Sequence, residues 1–114
     1  MLTAVLKRAG VPLATNLARL NVVELGELKP GLLVCDVDGL EVDSLELLRQ
    51  LRFVLPGCII VVYTAMMKRT WSVECHLAGA NGLLAKDSTE AELVAGLRLA
   101  VRNGCFTDPR FVAA

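Results

Sequence analysis

Net charge is the first thing this 114-residue sequence lacks, because twelve Lys and Arg are cancelled by twelve Asp and Glu. No uniform field draws such a chain onto nucleic acid or acidic lipid, and direct reading of bases is not expected of it. Paired cysteines are also missing. Cys35, Cys58, Cys75 and Cys105 stand without a C-x-x-C spacing, and His76 is the single histidine. A disulfide framework or a zinc site needs paired ligands and more imidazole, so the four thiols are expected to be reduced, cytosolic and mostly buried as small hydrophobes. Nor is there a long apolar run. The longest covers residues 58–63, far short of the roughly 18 that a membrane helix requires. The opening MLTAVLKRAG is too short for a signal peptide and places its charges after its apolar residues, the reverse of an export signal. A soluble cytoplasmic protein is expected, without repeats, linkers or low-complexity segments.

What is present is enough hydrophobic material, 54% of residues, for one compact domain over 1–114 that needs no metal or disulfide staple. Short apolar runs alternate with helical periodicities. Leu32-Leu33-Val34-Cys35 and Ile59-Ile60-Val61-Val62-Tyr63 are apolar throughout, as parallel strands covered on both faces are, and Gly82-Leu83-Leu84-Ala85 is a weaker third. Leu45, Leu48, Leu51 and Leu55 repeat at helical spacing, as do Leu93, Leu97, Ala100 and Val101. Asp43 and Thr89 each precede a Glu three residues on, the pattern of a capping box, and Pro56-Gly57 and Asn103-Gly104 mark the expected helix ends. Residues 68–80 form a less regular third helix carrying Trp71 and His76. The alternation predicts an α/β fold, a parallel sheet with helices on both faces.

Open parallel sheets bind ligands beyond the carboxyl ends of their strands. The residue after each apolar run is polar: Asp36, Thr64 and Lys86. A carboxylate, a hydroxyl and an ammonium on one rim suit transfer of a phosphoryl group onto a carboxylate. Asp36 is then the nucleophile, Thr64 a hydrogen-bond donor to a phosphoryl oxygen and Lys86 the balancing charge.

The stretches LLVCDVDGLEVDSLELLRQLR, IIVVYTA and GANGLLAKDSTEAELVAGLRLAVRNG resemble the receiver domain of two-component response regulators, in the branch usually followed by a LuxR-type helix-turn-helix. The resemblance implies a flavodoxin-like, CheY-like fold, with Asp36 as phosphoacceptor, Thr64 as switch hydroxyl and Lys86 as the family's lysine. It also implies phosphorelay signalling, a histidine kinase, an output domain or a second copy of the chain as partner, and the regulatory part of a transcription regulator, the passage into a DNA-binding domain resembling Gly104-Cys105-Phe106-Thr107-Asp108-Pro109.

Three departures stand out. Leu83 occupies the position three before Lys86 where many receivers carry an aromatic. The loop after Asp36 lacks the usual Met-Pro. Residues 1–10 contain no acid, whereas receivers open on a strand ending in an acidic pair that helps hold Mg²⁺. Aligned backwards from Asp36, residues 7–10 match the end of the family's first helix and 11–15 its second strand, which leaves the first strand missing or degenerate. In the other register, residues 2–6 are a rebuilt strand and 13–20 a shortened helix. Mg²⁺ prefers an octahedron of hard oxygens, and Asp36 with the backbone of Asp38 is a thin set, for which the side chain of Asp38 or Glu41 could compensate. Mg²⁺ binding is expected to be weak or absent, and so is phosphorylation.

A second function class fits part of the same segment. Asp36-Val37-Asp38-Gly39 followed by Val42-Asp43-Ser44 is similar to the first motif of haloacid-dehalogenase-type phosphatases, where Asp36 is nucleophile and Asp38 general acid and base. Leu40 replaces that motif's Thr. The remaining side chains read as structural, with His76 on a helix surface and Arg49, Arg52, Arg98 and Arg102 on the solvated faces of two helices. Met66, Met67 and Trp71, just after Thr64, suggest an adaptable contact surface. Output is therefore expected through residues 66–103, by docking or homodimerisation.

Overall fold

The structure, a computed structural model, describes residues 31–39 and 42–113. The two alternative arrangements of residues 1–30, the missing or rebuilt first strand, and the contribution of Leu40 and Glu41 lie outside the described residues. Within them the chain runs β1 (Leu32–Asp36), α1 (Ser44–Val54), β2 (Ile59–Thr64), α2 (Arg69–Ala78), β3 (Gly82–Ala85), α3 (Glu90–Asn103), β4 (Phe106–Thr107) and α4 (Pro109–Ala113). The strands form a sheet in the order β1-β2-β3-β4, parallel at every pairing. This is the α/β architecture expected from the sequence, extended by a short strand and helix at the carboxyl end that the periodicities did not announce.

Two apolar layers sandwich the sheet. Leu33, Cys35, Ile60, Val62, Leu83 and Ala85 face one side and pack with Leu48, Leu51 and Leu55, Cys75 and Ala78 of α2, and Phe111 of α4. Val34, Val61, Tyr63 and Leu84 face the other and pack with Leu93, Val94, Leu97 and Ala100 of α3. Successive strand residues alternate between the layers, and because both are covered, the strands read as continuous apolar runs. Cys35, Cys58 and Cys75 are buried free thiols and Cys105 is exposed. Burial pushes Cys35 and Cys75 up to about 12 and raises Cys58 as well, so all three remain protonated packing groups.

Local chemistry sets the helix ends. Asp43 caps α1 by accepting from the N–H groups of Leu45 and Glu46, while the Glu46 side chain turns to Arg49 at 3.2 Å. The reciprocal capping box is formed at α3, between Thr89 and Glu92. Gly104 ends α3 in the left-handed region, at φ 76°, where a side chain is disfavoured. Gly82 is required for another reason: a Cβ there would collide with the carbonyl oxygen of Phe106. The bare backbone is what lets β4 lie against β3.

Arg52 departs from the solvated role expected of it. Half-buried, it donates to the carbonyls of Gly79 (2.7 and 3.0 Å), Leu55 (3.0 Å) and Cys58 (2.8 Å) and to Oδ1 of Asn81. Asn81 Oδ1 in turn accepts from the N–H of Ile60 at 2.8 Å. The planar guanidinium thus ties the end of α1, the entry to β2 and the end of α2 into one joint at the pole opposite Asp36 and Lys86.

Candidate functional site

Strand register brings the three polar residues together. Asp36 closes β1 opposite Tyr63, Thr64 closes β2 opposite Ala85, and Lys86 follows Ala85 directly. Neighbouring strands lie about 4.8 Å apart, so side chains at the ends of three adjacent strands, stepped by one residue from each strand to the next, share one rim. The backbone continues the ladder past them, with the N–H of Lys86 donating to Thr64 O at 3.0 Å.

Lys86 Nζ lies 2.9 Å from Asp36 Oδ1 and 3.1 Å from Asp38 Oδ2. It also sits 5.4 Å from the centroid of the Tyr63 ring, within range of a cation–π contact. Hydrogen bonding to Asp36 and then to Asp38, with their charges, outweighs desolvation and raises the Lys86 pKa above its ordinary value. Thr64 is fully buried. Its hydroxyl donates to Asp38 Oδ1 at 2.7 Å and accepts from the N–H of Met66 at 3.1 Å. The N–H of Ala65 donates to Asp38 Oδ2 at 2.8 Å, and that of Asp38 to Asp36 Oδ1 at 3.1 Å. Partial burial pulls the Asp38 pKa upward, but the bonds from Thr64, Ala65 and Lys86 and the Lys86 charge prevail and hold it below the ordinary carboxylate value.

Sequence spacing singled out Asp36, Thr64 and Lys86 and paired Asp38 with Asp36 as a metal ligand. The contact of Asp38 with Thr64 and Ala65, 26 and 27 residues away, had no signal in the sequence. The Ala65 N–H carries none either, since any residue supplies one. As for a metal, no group of three or more His, Cys, Asp and Glu able to hold an ion occurs among the described residues. Among the described residues, Lys86 bridges the carboxylates of Asp36 and Asp38. Two carboxylates already sharing an ammonium do not fit the oxygen octahedron of Mg²⁺.

The other residues singled out are dispersed. His76, exposed on α2, places Nδ1 2.9 Å from Ala80 O and Nε2 2.9 Å from Thr107 Oγ1, which ties α2 to β4. Met67 and Trp71 pack against the core while Met66 is exposed. A polar cluster at the start of α4 escaped notice in the sequence. Buried Asp108 accepts from Ser88 Oγ at 3.2 Å and pairs with Arg110 at 2.8 Å, and Arg110 reaches Glu92 at 2.9 Å. Among the described residues no helix is long and apolar enough to cross a membrane.

Comparison with known proteins agrees with this architecture. No family model matches the chain. A curated relative, the methanol utilization control regulatory protein MoxX of Paracoccus denitrificans, is 30% identical over 86 residues, which are 74% of this chain and 39% of the relative. The chain thus spans well under half of that relative's length. Among solved structures, a LuxR-family two-component response regulator from Aurantimonas sp. SI85-9A1 superposes with a TM-score of 0.68 at 22% identity, covering 82% of this chain and 70% of the other. A response regulator from Burkholderia pseudomallei, solved with a phosphorylated aspartic acid, calcium ion and citrate, gives 0.67 at 21% identity, covering 90% and 61%. The fold is that of CheY-like receiver domains.

Proposed function

We propose that this receiver-fold domain works in phosphorelay signalling as a protein-interaction module, with Asp36 as a slow phosphoacceptor. The observation that carries the reading is the convergence of Asp36, Thr64 and Lys86 on one rim through parallel register. In the transfer, a carboxylate oxygen of Asp36 attacks the phosphorus of a phosphohistidine or acyl phosphate. The new P–O bond forms as the P–N or P–O bond to the donor breaks, and the donor leaves with that electron pair. Imidazole takes up a proton and acetate needs none. Asp36 Oδ1 is engaged by Lys86 and by the N–H of Asp38, which leaves Oδ2 to attack. Thr64 Oγ1, the Ala65 N–H and Lys86 Nζ stabilise the phosphoryl oxygens. No step passes through Mg²⁺, because the described donors do not fit it.

The domain receives a phosphoryl group and passes on a change of shape, so it is a signalling module and not a turnover enzyme. The reading gives it a kinase as donor and its own output domain or a second copy as receiver of the signal, within a longer transcription regulator. Residues 66–103 supply the contact surface, supported by the exposure of Met66, Val73, Leu77, Leu99 and Val101. The free buried thiols suit a reducing cytosol. The phosphatase alternative is disfavoured by the placement of Asp38: both its carboxylate oxygens are engaged by Thr64, the Ala65 N–H and Lys86, and a general acid and base has to be turned to the leaving group.

Incubation with acetyl phosphate and Mg²⁺, followed by intact mass measurement, tests the reading. A substoichiometric phosphoryl adduct lost in Asp36→Asn is the expected result. A stoichiometric adduct overturns the slowness, and no adduct, or one that survives in Asp36→Asn, removes Asp36 from the role.

A further inference from the structure

The donors that the proposed chemistry assigns to a phosphoryl group already hold an anion. Thr64 Oγ1 approaches Asp38 Oδ1 at 2.7 Å, while the Ala65 N–H and Lys86 Nζ approach Oδ2 at 2.8 and 3.1 Å. A hydroxyl, a backbone N–H and an ammonium that together engage both oxygens of one carboxylate form an oxyanion receptor. Its occupant is the carboxylate two residues beyond the proposed phosphoacceptor. These bonds are not the local closure of a turn, since they cross from the end of β1 to the ends of β2 and β3. They also decide the path of the following loop, because the Thr64 hydroxyl that donates to Asp38 accepts from the N–H of Met66 at 3.1 Å. Met66 leads directly into the exposed surface before α2.

We propose that Asp38 is a built-in stand-in for the phosphoryl group. It keeps Thr64, Ala65 and Lys86 in the arrangement an occupied site would have and competes with any phosphoryl group arriving on Asp36. The proposal rests on the reading of Asp36 as phosphoacceptor for the identity of the competitor. Two consequences follow from charge and space. The Thr64–Met66 loop is held in place without phosphorylation. An incoming phosphoryl group has to displace a carboxylate of its own sign from its donors, which accounts for a slow acceptor independently of metal.

The test leaves Asp36 unmodified. Inorganic phosphate is titrated into the wild type, Asp38→Ala and Asp38→Asn, and the Ala65 and Met66 amide signals are followed by NMR. The Asp38→Ala site is expected to bind phosphate saturably and at least about tenfold more tightly than wild type, with Asp38→Asn between them. Equal affinity in wild type and Asp38→Ala, or no shift in either variant, overturns the proposal. Should Asp38→Ala fail to fold, Asp38→Asn carries the same comparison against wild type. A second measurement uses wild type alone: on acidification the Ala65 N–H signal is expected to move with the Asp38 carboxyl carbon, and independent movement overturns the proposal. Phosphate forms no bond to Asp36, so a negative titration defeats the stand-in alone, whereas a missing acetyl phosphate adduct in wild type defeats the phosphoacceptor reading alone.

Discussion

Asp38 shows at the scale of one residue how context overrides identity. Half-buried at the rim, it is held in one orientation by four atoms from three segments. Because its folded pKa lies below the ordinary 3.8, its contribution to stability is fully present above that value and is lost as pH falls through the lower folded value. Lys86 has the opposite sign: raised above 10.5, it contributes below that pH and loses the contribution as pH rises through its higher folded value. Urea denaturation of wild type and Asp38→Asn over a pH series should therefore show a gap that is widest near neutrality and closes below about pH 4. A gap that persists unchanged to the lowest pH would mean that the carboxylate charge contributes nothing.

Secondary-structure elements here are bounded by short-range chemistry and joined by close approach. Loss of the α3 capping box in Thr89→Ala should cost about 1 kcal/mol of stability, since the Glu92 N–H loses the hydroxyl that accepts from it. Gly82→Ala should cost more, about 2 kcal/mol or above, because the added methyl meets the Phe106 backbone and not a side chain that can swing aside. Hydrogen exchange locates the damage: the Asp108 amide, bonded to Leu83 O at 3.0 Å, should lose protection in Gly82→Ala before the amides of β1 and β2 do. Strands and helices were legible at this scale. The apolar runs marked β1, β2 and β3 to within a residue of their ends, and Asp43, Thr89 and Gly104 marked helix boundaries. The β4 strand was not legible, because two residues offer no periodicity and their pairing depends on a glycine 24 positions earlier.

For the molecule as a whole, the carboxyl-terminal segment joins the core. Phe111 is fully buried among the residues under α1 and α2, so Phe111→Ala should destabilise the domain by about 3–5 kcal/mol, measured by equilibrium unfolding. The segment that resembles a passage into another domain is thus part of this sheet and core before any such passage begins. On the outside, Leu77 is 84% exposed on α2. If residues 66–103 mediate self-association, Leu77→Asp should leave the unfolding midpoint within about 0.5 kcal/mol of wild type while shifting the sedimentation profile toward monomer. An unchanged profile would place the contact elsewhere.

Composition and pattern alone determined that the chain forms a parallel α/β sandwich and that a carboxylate, a hydroxyl and an ammonium each follow a strand. Those properties depend on local periodicity and on the general rule that strand ends gather at one edge. Register, the joint made by Arg52, the inclusion of Phe111 and the capture of Asp38 by Thr64, Ala65 and Lys86 were decided only in three dimensions. Each is a meeting of groups distant along the chain, and the free energy of such a meeting depends on distances and desolvation that no local pattern of residues contains.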